Sequence, residues 1–243
     1  MRACLYILAG VLLVFTPMEA QEKAPASPDS RYVVGECLYT DEFSNGLSQW
    51  QTELEKGGTL SAKDGTLSID VPGGCSLWFK HLIEGPVLIQ YDATAVSKGG
   101  PNDRVSDLNC FWMARDSRSP KALFATPRSG KFSDYNQLLT YYVGIGGNSN
   151  KTTRLRRYIG DAVNRPLRPE DDLSNPADLL QPNQKQTIQI VADGSLIQLF
   201  RDGKKLFEMN DTAPYTSGWF AFRTVQSHLT FQHFQVWRLK SPH

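Results

Sequence analysis

The last quarter of the chain, from Gly194 to Leu239, constrains the fold more than any other part. Apolar and polar residues alternate along it in three runs, which cover residues 194–209, 218–228 and 229–239. Alternation at a period of two is typical of a strand that turns one face to a core and the other to solvent or a ligand. Asp202-Gly203 interrupts the first run and suits the positive φ of a tight hairpin turn. The pattern therefore predicts antiparallel strands whose polar face carries chemistry-bearing side chains.

Patterns of the same kind fill most of the remaining chain, and helical periodicity is almost absent. Turn signals such as Asp64-Gly65, Gly73-Gly74 and Asp193-Gly194 separate the runs. This spacing predicts an all-β, two-sheet antiparallel sandwich. Residues 160–185 are rich in Pro, Asp and Asn, and they are predicted to form an unstructured insertion at the rim of a site. The predicted strands are 60–63, 66–71, 77–79, 87–96, 108–115, 138–145, 153–159, 187–192, 196–201, 204–209, 218–224 and 229–239.

The N-terminus has the pattern of a signal peptide over residues 1–20. Arg2 precedes an apolar stretch at 3–15, and small residues follow at 17–20 before a plausible cleavage point. The stretch is shorter than the roughly 20 apolar residues that span a bilayer. Residues 21–30 are polar and are interpreted as a linker, which leaves one domain at 31–241. These features predict a secreted or periplasmic protein without a membrane span.

The cysteines give limited information about the fold and its metal sites. Cys37, Cys75 and Cys110 follow the signal segment, and their odd number and spacing argue against a disulfide framework and a zinc site. Two interpretations stay open: one bridge, such as Cys37–Cys75, or buried small apolar residues.

The formal net charge of +1 names no partner, but residues 151–168 contain six basic side chains and only one acid, Asp161. Such a segment is either an anion-binding surface or an edge strand protected by charge.

Two segments resemble a known group of secreted proteins. Residues 38–50 are similar to the opening strand of concanavalin/laminin-G-like jelly rolls, and residues 195–239 are similar to their closing strands. Within this group the chain most resembles bacterial domains related to the 3-keto-disaccharide hydrolase type and to polysaccharide-utilisation proteins. The resemblance implies a jelly roll with a carbohydrate ligand on the concave sheet. It also allows a structural calcium near Asp41 and Glu42; no other cofactor is expected. It does not fix a reaction, because several activities share the fold.

Strand alternation predicts which side chains face the concave sheet. In the strand 107–115 the even-numbered residues are expected to face the core and the odd-numbered ones the groove. The same argument on other strands gives a set of aromatic rings, an amide, guanidinium groups and an imidazole, which suits a saccharide that carries carboxylates. The set comprises Asn109, Tyr142, Arg154, Arg156, Tyr158, Trp219, Arg223 and His228.

The leading hypothesis is a polysaccharide lyase that cleaves a glycan containing uronic acid. β-Elimination needs a group that neutralises the sugar carboxylate, a base and an acid. Arg223 or Arg156, with Asn109, would neutralise the carboxylate, and His228 or Tyr142 would transfer protons. Arg154, Tyr158 and Trp219 would complete the binding surface.

Two other functions stay open. A glycoside hydrolase, including the 3-keto-sugar type, would need paired carboxylates, for which Asp92 and Asp107 are the candidates. A non-catalytic carbohydrate-binding module would need only the binding surface. No histidine-rich cluster suggests a catalytic metal, and the export signal argues against a nucleic-acid partner.

Overall fold

The structure is a computed structural model and describes residues 24–242. The proposed signal peptide, the first residues of the linker and His243 lie outside the described residues. Within the described part, no helix has the length and apolar character needed to cross a membrane.

The prediction of an all-β fold is confirmed. Helical structure within residues 24–242 is limited to short turns, which include the 3-10 turns Leu123–Ala125, Phe132–Tyr135, Pro169–Asp171 and Pro176–Asp178. In chain order the strands are β1 (Val33–Asp41), β2 (Trp50–Leu54), β3 (Thr59–Lys63), β4 (Thr66–Phe79), β5 (Ile83–Glu84), β6 (Val87–Ala95), β7 (Leu108–Asp116), β8 (Leu138–Gly146), β9 (Thr152–Ile159), β10 (Asp172–Leu173), β11 (Lys185–Asp193), β12 (Leu196–Arg201), β13 (Lys204–Asn210) and β14 (Ser217–Lys240).

The long strand β14 organises the sheet, which curls into two antiparallel layers. Its first half pairs with β7 and β4, and this layer continues through β8 and β9 to β10. Its second half pairs with β6 and β1, and that layer continues through β11 and β12 to β13. A register shift between Val225 and Ser227, where Gln226 has a φ of 46°, lies between the two halves. The two predicted strands at 218–224 and 229–239 are therefore one bulged strand.

Aromatic side chains from both layers fill the space between them. Phe222 of β14 packs edge-on against Tyr91 of β6, with ring centroids 5.0 Å apart, and stacks on Phe231 at 4.0 Å. All three rings are buried. Burial of each such side chain contributes roughly 1.5–3 kcal/mol. The alternation that the sequence shows in β14 is thus explained by this core.

Two local predictions are wrong. Gly73-Gly74 is not a turn, because β4 runs through it from Thr66 to Phe79. Ala114 faces away from the core, because Met113 has a φ of 51° and takes the core position instead. Of the two interpretations of the cysteines, the bridge Cys37–Cys75 is not formed; Cys75 and Cys110 are buried thiols, whereas Cys37 is exposed.

The outer face of the β7–β8–β9 layer carries a second apolar cluster beneath a cover segment, residues 117–137, which joins β7 to β8. Trp78 stacks on Phe111 at 5.7 Å, and Tyr135 of the cover segment stacks on Phe111 at 5.4 Å. The carboxylate of buried Glu53 accepts hydrogen bonds from Trp78 Nε1 and Tyr135 Oη, both at 2.8 Å, and pairs with Arg128 at 2.8 Å. This network fixes the cover segment, which forms one wall of the site described next.

Candidate functional site

A cavity of about 370 Å³ opens on the outer face of β7, β8 and β9. It is called the arginine cavity here because guanidinium groups from three parts of the chain reach it. Its size lies within the range of about 300–1,000 Å³ that is usual for small-molecule sites. It is lined by Arg104, Asp107, Asn109, Phe132, Tyr142, Gly144, Gly147, Asn148, Ser149, Thr152, Arg154, Arg156, Tyr158, Arg165 and Val225.

The structure brings five of the eight residues proposed from the sequence into this cavity: Asn109, Tyr142, Arg154, Arg156 and Tyr158. Strand pairing explains their convergence. Asn109 lies opposite Gly144, Tyr142 opposite Arg156, and Gly144 opposite Arg154 across the three neighbouring strands. Side chains opposite each other in an antiparallel pair share one face, so these residues point to the same side of the layer.

Trp219, Arg223 and His228 do not line the cavity. Trp219 is covered by the ring of Phe124, with centroids 5.9 Å apart. Arg223 lies on the same sheet face but is only 1% exposed. His228 lies beyond the bulge of β14, where its Nδ1 is 2.9 Å from Asp103 Oδ1 and its Nε2 is 3.2 Å from Ser68 Oγ. The proposed single groove therefore does not contain these three side chains in this conformation.

The charges in the cavity are not balanced. Arg154 is neutralised by Asp172 at 2.8 Å, and Arg104 forms an ion pair with Asp107. Arg156 and Arg165, by contrast, form no ion pair with any acidic side chain in residues 24–242. Burial and the neighbouring arginine charges lower the pKa of Arg156 from its usual value. An anion in the cavity would offset this unfavourable accumulation of charge.

Aromatic rings hold Arg165 over the cavity. Its guanidinium lies 5.0 Å from the ring centroid of Phe132 and 6.0 Å from that of Tyr158. The segment 160–185 delivers this side chain, as expected for an insertion at the rim of a site. The segment is not structureless, however, because it contains β10 and the 3-10 turns at Pro169 and Pro176.

Gly144 keeps the floor of the cavity open. A Cβ at this position would lie 3.0 Å from Tyr142 Oη and 3.2 Å from Asn109 Oδ1. Both polar atoms therefore border the same small space. Asn109 Oδ1 is buried and has no hydrogen-bond partner within residues 24–242. Because a buried acceptor without a partner is costly, this space suits a ligand hydroxyl or a water.

We expect Gly144→Ala to weaken ligand binding at least tenfold while the protein stays folded, because the added methyl group fills the space between Tyr142 and Asn109. Calorimetric titration with the saccharides proposed below measures the effect. Gly57→Ala is the matched control, since no atom lies within 4 Å of its added Cβ. Equal affinities of the two variants would show that the floor at Gly144 takes no part in binding.

Burial raises the pKa of Tyr142 well above its usual value, and it also raises the pKa of Tyr158. Both phenols are therefore protonated at neutral pH and available as hydrogen-bond donors. In this state neither is a ready base for proton abstraction.

The rim opposite the cover segment is a left-handed turn, Gly147–Asn150. Asn148, Ser149 and Asn150 have φ values of 54°, 58° and 60°, a region that non-glycine residues seldom adopt. Two hydrogen bonds between Asn150 and Leu180, both 2.9 Å long, hold the turn against the segment 160–185. Strained backbone of this kind often occurs where side chains must be presented to a ligand.

The pair Asp103–His228 anchors the loop that brings Arg104 to the cavity. Backbone N–H groups of Lys98 and Gly100 donate to Asp103 Oδ2 at 2.6 and 3.0 Å. These bonds, with a smaller contribution from His228, lower the pKa of Asp103 from 3.8 to about 2. His228 is thus placed as a structural partner of this loop, next to the site but not inside it.

This lowered pKa predicts a specific acid sensitivity. Because the folded-state pKa of Asp103 is below the unfolded value, its stabilising effect is complete above about pH 4 and is lost as the pH falls towards about 2. We expect Asp103→Asn to be less stable than the wild type near neutral pH, and the difference to shrink across that acidic range. Urea unfolding at a series of pH values measures it. A difference that stays constant with pH would contradict the assignment.

The two carboxylates proposed for a glycoside hydrolase are not brought together. Asp92 does not lie in the cavity, because it is bound to Lys185 and Thr187 on β11, whereas Asp107 is a lining residue. The two carboxylates therefore form no catalytic pair.

The side chains proposed for calcium are also engaged. Asp41 accepts hydrogen bonds from Phe43 N and Trp50 Nε1 at 2.7 Å, and Glu42 contacts His233 at 2.6 Å. Across residues 24–242, no group of three or more His, Cys, Asp or Glu side chains is arranged to hold a metal ion.

Several lining residues were not predictable from strand alternation. Arg165 belongs to the basic run at 151–168, so its charge was a usable signal, but its distance from any strand hid its position. Arg104 and Phe132 lie in connecting segments, where alternation gives no information about direction. Arg104 reaches the cavity through the fold of the loop that Asp103 anchors, and Phe132 reaches it through the cover segment.

Comparison with solved structures shows similarity to proteins of the same fold at low sequence identity. A Bacillus subtilis protein of unknown function with a galectin-like fold is 18% identical, with a TM-score of 0.68 over 86% of this chain and 99% of that one. The carbohydrate-binding module CBM66 from Bacillus subtilis is 12% identical, with a TM-score of 0.53 over 80% and 98%. An endo-β-1,3-glucanase from Pyrococcus furiosus is 11% identical, with a TM-score of 0.56 over 85% and 95%. These likenesses confirm the jelly-roll sandwich.

Sequence comparison is more specific about the family. A search of curated proteins gave no match. A family model, described as a domain of unknown function, DUF6250, matches residues 69–234, which is more than half of the chain. This range contains the strands that form the arginine cavity and most of the core. The chain therefore belongs to the DUF6250 family.

Proposed function

We propose that this protein binds a glycan containing uronic acid in the arginine cavity. The observation that carries the proposal is the uncompensated positive charge of Arg156 and Arg165 in a cavity that also presents aromatic rings. Guanidinium groups recognise carboxylates through paired hydrogen bonds, and aromatic rings provide an apolar surface for sugar rings. A neutral sugar would leave the arginine charges without a partner.

The remaining lining groups suit sugar hydroxyls. The Asn109 amide, the phenols of Tyr142 and Tyr158 and the side chains of the left-handed turn supply donors and acceptors around the same space. The likeness to a carbohydrate-binding module and to a glucanase supports a carbohydrate ligand at the level of the fold. The signal-peptide pattern of residues 1–20 supports export from the cytoplasm, and glycans of this kind are encountered outside it.

A polysaccharide lyase is the second candidate, because Arg156, Asn109 and Tyr142 share the cavity. Arg156 and Asn109 would neutralise the sugar carboxylate, and Tyr142 would transfer the proton. The raised pKa of Tyr142 opposes its use as a base unless a bound substrate brings the phenol under the influence of an arginine. A glycoside hydrolase of the two-carboxylate type is less well supported, since Asp107 is the one acidic side chain among the lining residues that the structure describes.

Affinity electrophoresis of the protein through gels that contain pectic, alginate or glucuronan polysaccharides, with neutral glucans for comparison, tests the proposal. We expect retardation by at least one uronic-acid polymer and none by the glucans. Retardation by neutral glucans alone would contradict it. The same mixtures, followed at the ultraviolet absorbance of unsaturated uronates, separate a lyase from a binding module: a rising signal supports elimination, and a flat signal with retained binding supports a module.

A further inference from the structure

Arg223 is a buried cation, and one edge of its guanidinium, formed by Nε and Nη2, has no hydrogen-bond partner within residues 24–242. This unpaired edge is called the open edge here. Its guanidinium is on β14, and Nη1 donates to Gly130 O at 2.6 Å and to Ser76 Oγ at 3.3 Å. Both Nε and Nη2 are buried. A buried charge with unsatisfied donors is strongly unfavourable. An anion that paired with Nε and Nη2 would therefore stabilise this arrangement.

The same pair of atoms, Nε and Nη2, binds a carboxylate in four other arginines of this protein. In each of these arginines, the two atoms each donate to one oxygen of a single aspartate, at distances between 2.5 and 3.0 Å. These pairs are Arg31–Asp29, Arg118–Asp116, Arg154–Asp172 and Arg168–Asp171. This side-on geometry is the standard bidentate mode for a carboxylate. Arg223 therefore presents an unused carboxylate-binding edge.

One aromatic ring relates Arg223 to the arginine cavity. The guanidinium of Arg223 lies 5.6 Å from the ring centroid of Phe132, and that of Arg165 lies 5.0 Å from the same centroid. Phe132 is a partly exposed lining residue on the cover segment. The ring of Phe132 also packs edge-on against Tyr142 of the cavity, with centroids 6.0 Å apart, so it lies between Arg223 and the lining residues.

We infer that Arg223 is a concealed carboxylate-binding residue of the arginine cavity, which a uronic-acid carboxylate reaches when the ring of Phe132 moves aside. The inference rests on the proposed function, since it needs an acidic saccharide as the ligand. It assigns Phe132 the role of a gate between the cavity and Arg223. It also explains why an arginine occupies a position on β14 that an apolar side chain would fill at lower cost.

Chemical modification tests the gate without measuring affinity. We expect p-hydroxyphenylglyoxal to modify Arg223 several-fold faster in Phe132→Ala than in the wild type, as measured by peptide mass spectrometry. Phe124→Ala is the matched control, because this ring belongs to the cover segment but packs on Trp219 outside the cavity. An unchanged rate in Phe132→Ala, or an equal increase in Phe124→Ala, would overturn the role of Phe132.

Calorimetry with an oligouronate and its carboxyl-reduced counterpart tests the binding role. We expect Arg223→Met to weaken the oligouronate about tenfold and to leave the reduced sugar unaffected, since only the carboxylate uses the open edge. If Arg223→Met binds like the wild type while Arg156→Met is impaired, the inference fails and the proposed function stands. If the wild type binds no oligouronate, the proposed function itself fails. If Arg223→Met does not fold, Arg223→Lys replaces it, because lysine keeps the positive charge without the bidentate edge. We expect Arg223→Lys to bind the oligouronate more weakly than the wild type. Wild-type affinity in this variant would overturn the binding role.

Discussion

Arg156→Met is expected to weaken binding of an oligouronate by about 10- to 100-fold while leaving the fold intact. Arg156 lines the cavity and donates from Nη1 to the backbone carbonyl of Arg165, but it has no acidic partner within residues 24–242, so its charge is available to a ligand. A hydrogen bond between charged groups contributes roughly 1.5–3 kcal/mol, which corresponds to this range of affinity. Calorimetric titration measures the change, and the thermal midpoint monitors the fold.

Lys151→Met is the matched control for Arg156→Met. It removes one positive charge from the same basic run, but Lys151 is exposed and does not line the cavity. We expect its affinity to stay within about twofold of the wild type, because exposed charges at a distance are screened by salt. Similar losses in both variants would show that binding depends on net charge and not on the cavity.

The second large effect is expected from Glu53→Ala, which should lower the free energy of unfolding by about 3–5 kcal/mol. Glu53 and its partner Arg128 are both almost fully buried, and the same carboxylate accepts hydrogen bonds from Trp78 and Tyr135. Removing Glu53 leaves Arg128 with only its longer ion pair to Asp116, at 3.4 Å. It also leaves the buried donors of Trp78 and Tyr135 unpaired, which is strongly destabilising. Urea unfolding measures the loss, and ligand affinity should fall as well because Tyr135 and Phe132 belong to the same 3-10 turn.

An exposed ion pair provides the comparison for Glu53→Ala. Glu36 contacts Arg238 at 3.5 Å, and both side chains are more than one third exposed. We expect Glu36→Gln to change stability by less than about 1 kcal/mol. If Glu53→Ala were no more destabilising than Glu36→Gln, the buried network would not be what holds the cover segment in place.

The sequence was most informative where strands are regular. Alternation in β8, β9 and the first half of β14 predicted the direction of Tyr142, Arg156 and Phe222, because a half-buried strand has only two faces. It failed at bulges, as at Met113, because one extra residue reverses the faces beyond it. Nothing in local sequence marks Met113 as the position where the strand bulges.

The cavity itself was only partly predictable. Alternation placed Arg223 on the correct face but could not show that the cover segment would bury it. His228 was also expected in the groove, but it follows the bulge at Gln226 and contacts Asp103 outside the cavity. The positions of Arg104, Phe132 and Arg165 depend on how three connecting segments pack, and this is decided by long-range contacts such as those of Glu53 and Leu180.

Calorimetric titration of the wild-type protein with an oligouronate, and with the same oligosaccharide after reduction of its carboxyl groups, measures whether the arginine cavity recognises uronic-acid carboxylates. The two ligands differ only in the charge that Arg156 and Arg165 are proposed to recognise. We expect the oligouronate to bind at least tenfold more tightly and added salt to reduce this difference. Equal affinity for the two ligands, or tighter binding of the reduced one, would contradict it.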